Sequence, residues 1–349
     1  MTSIERVYAT INHKEPDKVP KGELEIAEEL IENLLGRQVE DSFEDIKEVM
    51  NMLHMDLVNM WAWQDSSLKK IEKDSQGREI FEDWLGNKMV QTGNSVKCSE
   101  SAIKEIEDIF SFKFPQVENY NCDHIKKWRQ ESDFFVFAQI GGGFSSIYPL
   151  IGFENYLIGT KTHRKVIECL IEKAIDFYIQ LANMAIQSGA HGILIGDDIA
   201  YNSGTILSPE LLRGMLFPYI RKEVAEIKKL NVPVFFHADG NLNDVLDDIV
   251  DMGFDGLHSL QPSAGMNLKE VKIKYGDKLC LMGNIDLDYI LPFGKVEDVR
   301  KAVKEAVRVA AKDGGYILST CNVLTKNIPV KNAVAMYEAA EEYGKYRER

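Results

Sequence analysis

The chain has 349 residues, 45% hydrophobic and 28% charged, with a formal charge of −14, a balance that allows a large buried core and argues against nucleic acid as a partner. Five scattered cysteines form no CxxC pair, which points to reduced thiols and not to a disulfide frame. No apolar run reaches membrane-spanning length and the first six residues lack a basic-then-apolar leader, so the expected compartment is the cytoplasm.

In chain order, residues 22–26 read as a short strand ending among carboxylates, followed by helices over 27–35 and 43–53 and a strand over 55–61. Between residues 69 and 90 the pattern changes. Two turn signals, Asp74-Ser-Gln-Gly77 and Leu85-Gly-Asn87, separate short alternating runs, which predicts a small antiparallel β excursion. A buried strand over 134–140 then runs into Gly141-Gly-Gly143, and a long helix over 165–188 leads to a strand over 191–198. Pro209 marks the start of a helix that reaches residue 230. Further strands are expected at 232–237, 254–260, 279–284 and 315–320, with helices at 242–250, 268–275, 296–311 and 330–346. About eight strands alternating with helices are the pattern of a (β/α)8 TIM barrel, here a single domain over residues 1–349. A doubly wound open sheet is the alternative, but no strand leads into a GxGxxG or Walker-type loop.

Barrel enzymes work at the C-terminal ends of their strands. The polar residues expected there are Glu23 and Glu25 (first strand), Asp197 and Asp198 (fourth), His237 and Asp239 (fifth), Gln261 (sixth), Asn284 and Asp286 (seventh), and Cys321 and Asn322 (eighth). A histidine and a cysteine on separate strand ends can converge, and both suit zinc. A catalytic zinc takes three protein ligands, so His237 and Cys321 need one more, Asp239 or another strand-end carboxylate such as Glu23 or Asp198. Each has a plainer role available: a buried small residue for the cysteine, a hydrogen-bonded side chain for the histidine, a helix cap for the paired aspartates. The triple glycine either lets backbone approach a ligand or only permits a tight turn. Trp61, Trp63, Phe144 and Tyr148 are candidates for an aromatic substrate pocket, although core packing accounts for most such rings.

Phe235-Phe-His-Ala-Asp-Gly240, Met282-Gly-Asn-Ile-Asp286, Gly314-Gly-Tyr-Ile-Leu-Ser-Thr-Cys-Asn322 and the Asp197-Asp198 segment ahead of Leu207-Ser-Pro-Glu210 together resemble the uroporphyrinogen decarboxylase superfamily. Within it, the chain is similar to the cobalamin-dependent methyltransferases. The resemblance implies a (β/α)8 barrel holding zinc. Thiol-methylating members bind that metal through His-x-Cys after one strand and a Cys after the last. His237 and Cys321 match the outer ligands, whereas Asp239 stands where those members carry Cys. An oxygen ligand favours an oxygen-bearing substrate over a thiolate.

The expected reaction is therefore O-demethylation: a methyl group passes from a small methoxylated aromatic substrate to Co(I) cobalamin. The chain contains no D-x-H-x-x-G cobalamin segment, so the cofactor is expected on a separate corrinoid protein. In this scheme zinc on His237, Cys321 and Asp239 polarises the ether oxygen, Asp197, Asp198 and Asp239 serve catalysis, and Glu23, Glu25, Trp61, Gln261, Asn284 and Asn322 contact substrate. A homodimer is compatible with this reading. Three alternatives remain: methylcobalamin:thiol transfer of the coenzyme M type, a porphyrinogen-type decarboxylase, and a non-catalytic binding barrel. The decarboxylase ranks low, because no arginine lies between Arg6 and Arg37 to meet a polycarboxylate.

Overall fold

The computed structural model describes residues 1–63, 69–92 and 95–346. Seven parallel strands lie side by side in chain order: Leu57–Trp61, Phe135–Gly141, Gly192–Gly196, Val234–His237, Gly256–Ser259, Cys280–Ile285 and Tyr316–Thr320. The eighth stave is Lys21 and Gly22, bridged in parallel to Leu318 on one side and Leu57 on the other. The Gly22 N–H donates to the Leu318 carbonyl at 3.1 Å and the Asp56 N–H to the Lys21 carbonyl at 2.7 Å, so the ring of strands closes. This is the expected TIM barrel. Its first strand is shorter than predicted, because the chain leaves the ladder before Ile26 bridges to Leu324.

Period-two alternation divides each strand between two cores. Phe135, Phe137, Leu194, Phe235, Cys280, Met282 and Ile317 fill the barrel interior, while Val136, Ala138, Ile140, Ile193, Ile195, Val234 and Phe236 pack outward against the helices. Phe235 points inward, so His237, two residues on, shares its face. An N-terminal helix, Ser3–Ile11, was not anticipated. Thr2 and Glu5 form its capping box, and Val7 and Ile11 join the interior core. Helices Asp123–Glu131 and Phe153–Thr162 also went unread, their apolar positions being too few to set a period. The Pro209 helix is interrupted by a π-helical turn, Leu212–Leu216, before continuing as Phe217–Lys228.

The excursion is a four-stranded antiparallel sheet, Lys69–Lys73, Glu79–Glu82, Lys88–Thr92 and Ser95–Glu100, one strand longer than expected. Asp74 and Asp83 set its first two turns by accepting backbone N–H groups two and four residues ahead. Among the described residues, no helix is long and apolar enough to cross a membrane.

Candidate metal centre at the barrel mouth

The structure brings three of the predicted residues together. Ligand atoms of Asp198, His237 and Asp239 all lie within 4.8 Å of one another at the ends of the fourth and fifth strands. His237 is buried, with Nε2 3.9 Å from Asp198 Oδ1, a separation too long for a hydrogen bond. The Asp239 backbone N–H donates to the same Asp198 oxygen at 3.2 Å. Asp198 is the solvent-facing member, its side chain 54% exposed. Cys321 lies outside this convergent group. It is buried at the end of the eighth strand, and burial, with Asp239 and Asp286 adding to it, pushes its thiol up to about 12.

A residue absent from the sequence reading orients His237. His258 stands opposite it in the strand register and is wholly buried, with the two Nδ1 atoms 2.8 Å apart. Burial, and His237 beside it, hold His258 far below the ordinary imidazole value, so it is neutral. The Ser319 hydroxyl donates to Glu23 at 3.2 Å, which leaves its oxygen to accept from His258 Nε2, 3.4 Å away. With Nε2 carrying the proton, His258 Nδ1 is an acceptor and His237 Nδ1 the donor. By this assignment His237 Nδ1 is committed to His258, and its Nε2 is turned toward the carboxylates. The available signal was register: His237 and His258 are inward-facing polar residues at matching heights on neighbouring strands.

Asp239 is also held from outside. Ser259 Oγ donates to its Oδ1 at 2.9 Å and Asn322 Nδ2 donates to its Oδ2. Burial lifts its carboxyl above the ordinary value, His237 opposes that rise and Asp198 adds to it. Imidazole nitrogen with carboxylate oxygens is a fitting zinc donor set, and partners that fix the ligands complete such a site. Ser259, Leu260 and Asn284 have φ of 93°, 52° and 78°. Left-handed backbone at non-glycine residues costs of order 1–3 kcal/mol each and clusters at functional sites.

The other predicted residues divide. Asp197 is fully buried and accepts from the Phe144 and Ser145 N–H groups at 3.0 and 2.6 Å, and burial raises its carboxyl to about 7. It pins the loop after the third strand. The Asp198 N–H then donates to Ser145 Oγ at 3.1 Å, so that loop also positions Asp198. A Cβ on Gly142 would lie 2.6 Å from the Asp197 carboxyl, so this glycine serves close approach by a side chain of the protein itself. Glu23 is buried and accepts from Ser319, twice from Thr320, and from Tyr337 at 2.6 Å. Burial raises it to about 7. Gln261 accepts from the Gly240 N–H at 2.9 Å, and Asn284 donates to the Leu260 carbonyl at 2.6 Å, so both brace the rim. Asp286 caps the turn at Tyr289 and Ile290. Glu25 is exposed, as is half of Trp61. Phe144 belongs to the core, against Tyr156.

The family model described as uroporphyrinogen decarboxylase (URO-D) matches residues 88–343. Methylcobamide:CoM methyltransferase MtaA of Methanosarcina barkeri is 30% identical over 178 residues, 50% of this chain and 49% of that protein. A uroporphyrinogen decarboxylase of Actinobacillus succinogenes is 25% identical over 211 residues, 59% of this chain and 55% of that one. The chain thus spans about half the length of the curated relatives it matches. Among solved structures, a methyltransferase from Methanosarcina mazei superposes with a TM-score of 0.77 at 20% identity, covering 98% of this chain and 99% of the other, and shares the fold.

Proposed function

The chain belongs to the uroporphyrinogen decarboxylase (URO-D) family, and on that premise we propose that it transfers a methyl group from a small methoxylated aromatic compound to Co(I) cobalamin on a separate corrinoid protein. The carrying observation is the convergence of Asp198, His237 and Asp239 at the barrel mouth. Methylcobamide:CoM methyltransferases among its relatives support methyl transfer as the reaction class.

Zinc is the metal this donor set fits. His237 Nε2, Asp239 and Asp198 would hold it, with Cys321 the further ligand implied by family resemblance. Bound there, zinc supplies a Lewis acid for the departing ether oxygen. The chain's own residues do the rest. His258 keeps the His237 tautomer, and Ser259 and Asn322 fix the Asp239 carboxylate. Asp197, through the Gly142–Ser146 loop, positions Asp198, the ligand a substrate can reach. Asp239, replacing a sulfur ligand by oxygen, favours an ether over a thiolate.

Metal analysis of purified protein tests the site. Stoichiometric zinc in the parent, lost in His237→Ala and Asp239→Ala, is expected, and Asp198→Ala beside Cys321→Ala separates the remaining ligands. Zinc retained in full by His237→Ala overturns the assignment. For the reaction, a panel of methoxylated aromatics is offered with Co(I) cobalamin, and methylation is read from the corrinoid spectrum. One second reading has a specific observation behind it. The relatives named for coenzyme M favour transfer from a methylcobamide to a thiol. Methylcobalamin with coenzyme M as substrates, and no turnover of methoxyarenes, would establish that direction instead.

A further inference from the structure

A cavity of about 380 Å³ opens between the antiparallel sheet and the ends of the second and third strands. Three of the chain's four tryptophans line it, Trp61, Trp63 and Trp84, together with Tyr178. The rings are walls and not a stack. Trp61 and Trp63 have centroids 5.3 Å apart at 59°, and Trp63 and Trp84 5.1 Å apart at 58°. Tyr178 stands behind Trp63 at 6.4 Å. Phe177 backs Trp84 in a stacked contact at 5.5 Å, so Trp84 is fixed from one side. Half of Trp61 remains open to solvent.

The acidic residue lining this cavity is Asp83, beside the neutral Asn87 and Ser146. Its described hydrogen-bond donors are the Leu85 and Asn87 N–H groups and the Asn87 side-chain amide, all neutral. Among the described residues, no Lys or Arg lines it. Aromatic faces beside an acidic side chain with no Lys or Arg partner among the described residues are the chemistry that recognises an organic cation, through the ring quadrupoles and the acidic group together. A carboxylated ligand would meet repulsion from Asp83. The cavity also adjoins the acidic mouth, since Ser146 lines it and the neighbouring Ser145 accepts from the Asp198 N–H.

We propose that this cavity is a binding site for a methylated ammonium cation, held by Trp61, Trp63 and Trp84 with Asp83 as counter-charge. The assignment rests neither on zinc nor on the direction of methyl transfer. Titration of the full chain, followed by tryptophan fluorescence, tests it directly. The probes are choline and its uncharged tert-butyl analogue, which have the same shape and differ in charge. Choline is expected to bind roughly tenfold tighter than the analogue or better. Asp83→Asn, whose side-chain oxygen still accepts the turn N–H groups, should lose most of that preference. Trp61→Ala truncates a half-exposed ring outside the core and should weaken choline with the far-ultraviolet circular dichroism unchanged. Equal binding of the two probes by the parent overturns the proposal, as does undiminished choline binding in both variants.

Discussion

At the scale of single residues, the site turns on which nitrogen of His237 faces the mouth. Its Nδ1 is committed to His258, so Nε2 is left for a ligand. His258→Ala removes the acceptor while leaving every proposed ligand in place. The expected result is zinc affinity lowered about 10–100-fold, measured by competition with a chromophoric chelator. Unchanged affinity would show that His258 only fills space. His237 and Asp239 were readable as candidates because a polar pair closes an otherwise apolar strand. His258 was not, because its significance lies in a register partner 21 residues away. Asp198 and Asp197 looked alike in sequence, yet one faces solvent and the other is sealed beneath the Gly142–Ser146 loop.

At the scale of elements, the loop after the third strand and the helix Phe217–Lys228 share a buried acidic layer. Glu223 of that helix is wholly buried, and neither carboxyl oxygen finds a hydrogen-bond partner among the described residues. Burial, with Asp197 adding to it, raises its carboxyl well above the ordinary value. A carboxyl whose folded value lies above its unfolded one takes up a proton on folding. Its stabilising contribution is complete below the unfolded value and is lost as pH rises. Asp197 and Glu23, both raised to about 7, act in the same direction. Stability is therefore expected to fall as pH climbs from the ordinary carboxylate range through about 7. Glu223→Gln removes one of the three groups, so its Tm should exceed the parent's at about pH 8 and the gap should narrow near about pH 5. Calorimetric curves that run parallel across this range would refute the account.

For the whole molecule, closure of the barrel depends on its N-terminal segment. Lys21 and Gly22 complete the ring, and three contacts hold this short stave. Lys21 Nζ pairs with Glu341 of the last helix, Tyr337 of that helix donates to Glu23, and the Lys21 N–H donates to Asp56 at 3.0 Å. Asp56 is buried, and Arg6 Nη1 meets it at 2.6 Å. Arg6→Met keeps the volume but leaves a buried carboxylate unpaired, at a cost of about 3 kcal/mol or more. Urea unfolding should show the midpoint lowered with the slope retained; a midpoint unchanged from the parent would mean the pair is dispensable to closure.

Strand and helix periodicity, read along the chain, determined the alternation of eight staves with helices and the antiparallel excursion, because burial imposes those periods locally. The helix Ser3–Ile11, whose partners are the barrel strands, escaped it, and the first stave, expected over 22–26, forms only at Lys21–Gly22, too brief for a period to set its bounds. The candidate ligands were also visible as residue types at strand ends. What only the tertiary structure decided was their company. Asp198 joined His237 and Asp239, Cys321 fell outside that group, and Glu23 and Asp197 turned inward to hydrogen-bond the protein itself. The reason is physical: ligation, proton placement and burial depend on distances across strands, and these arise only when the ring closes.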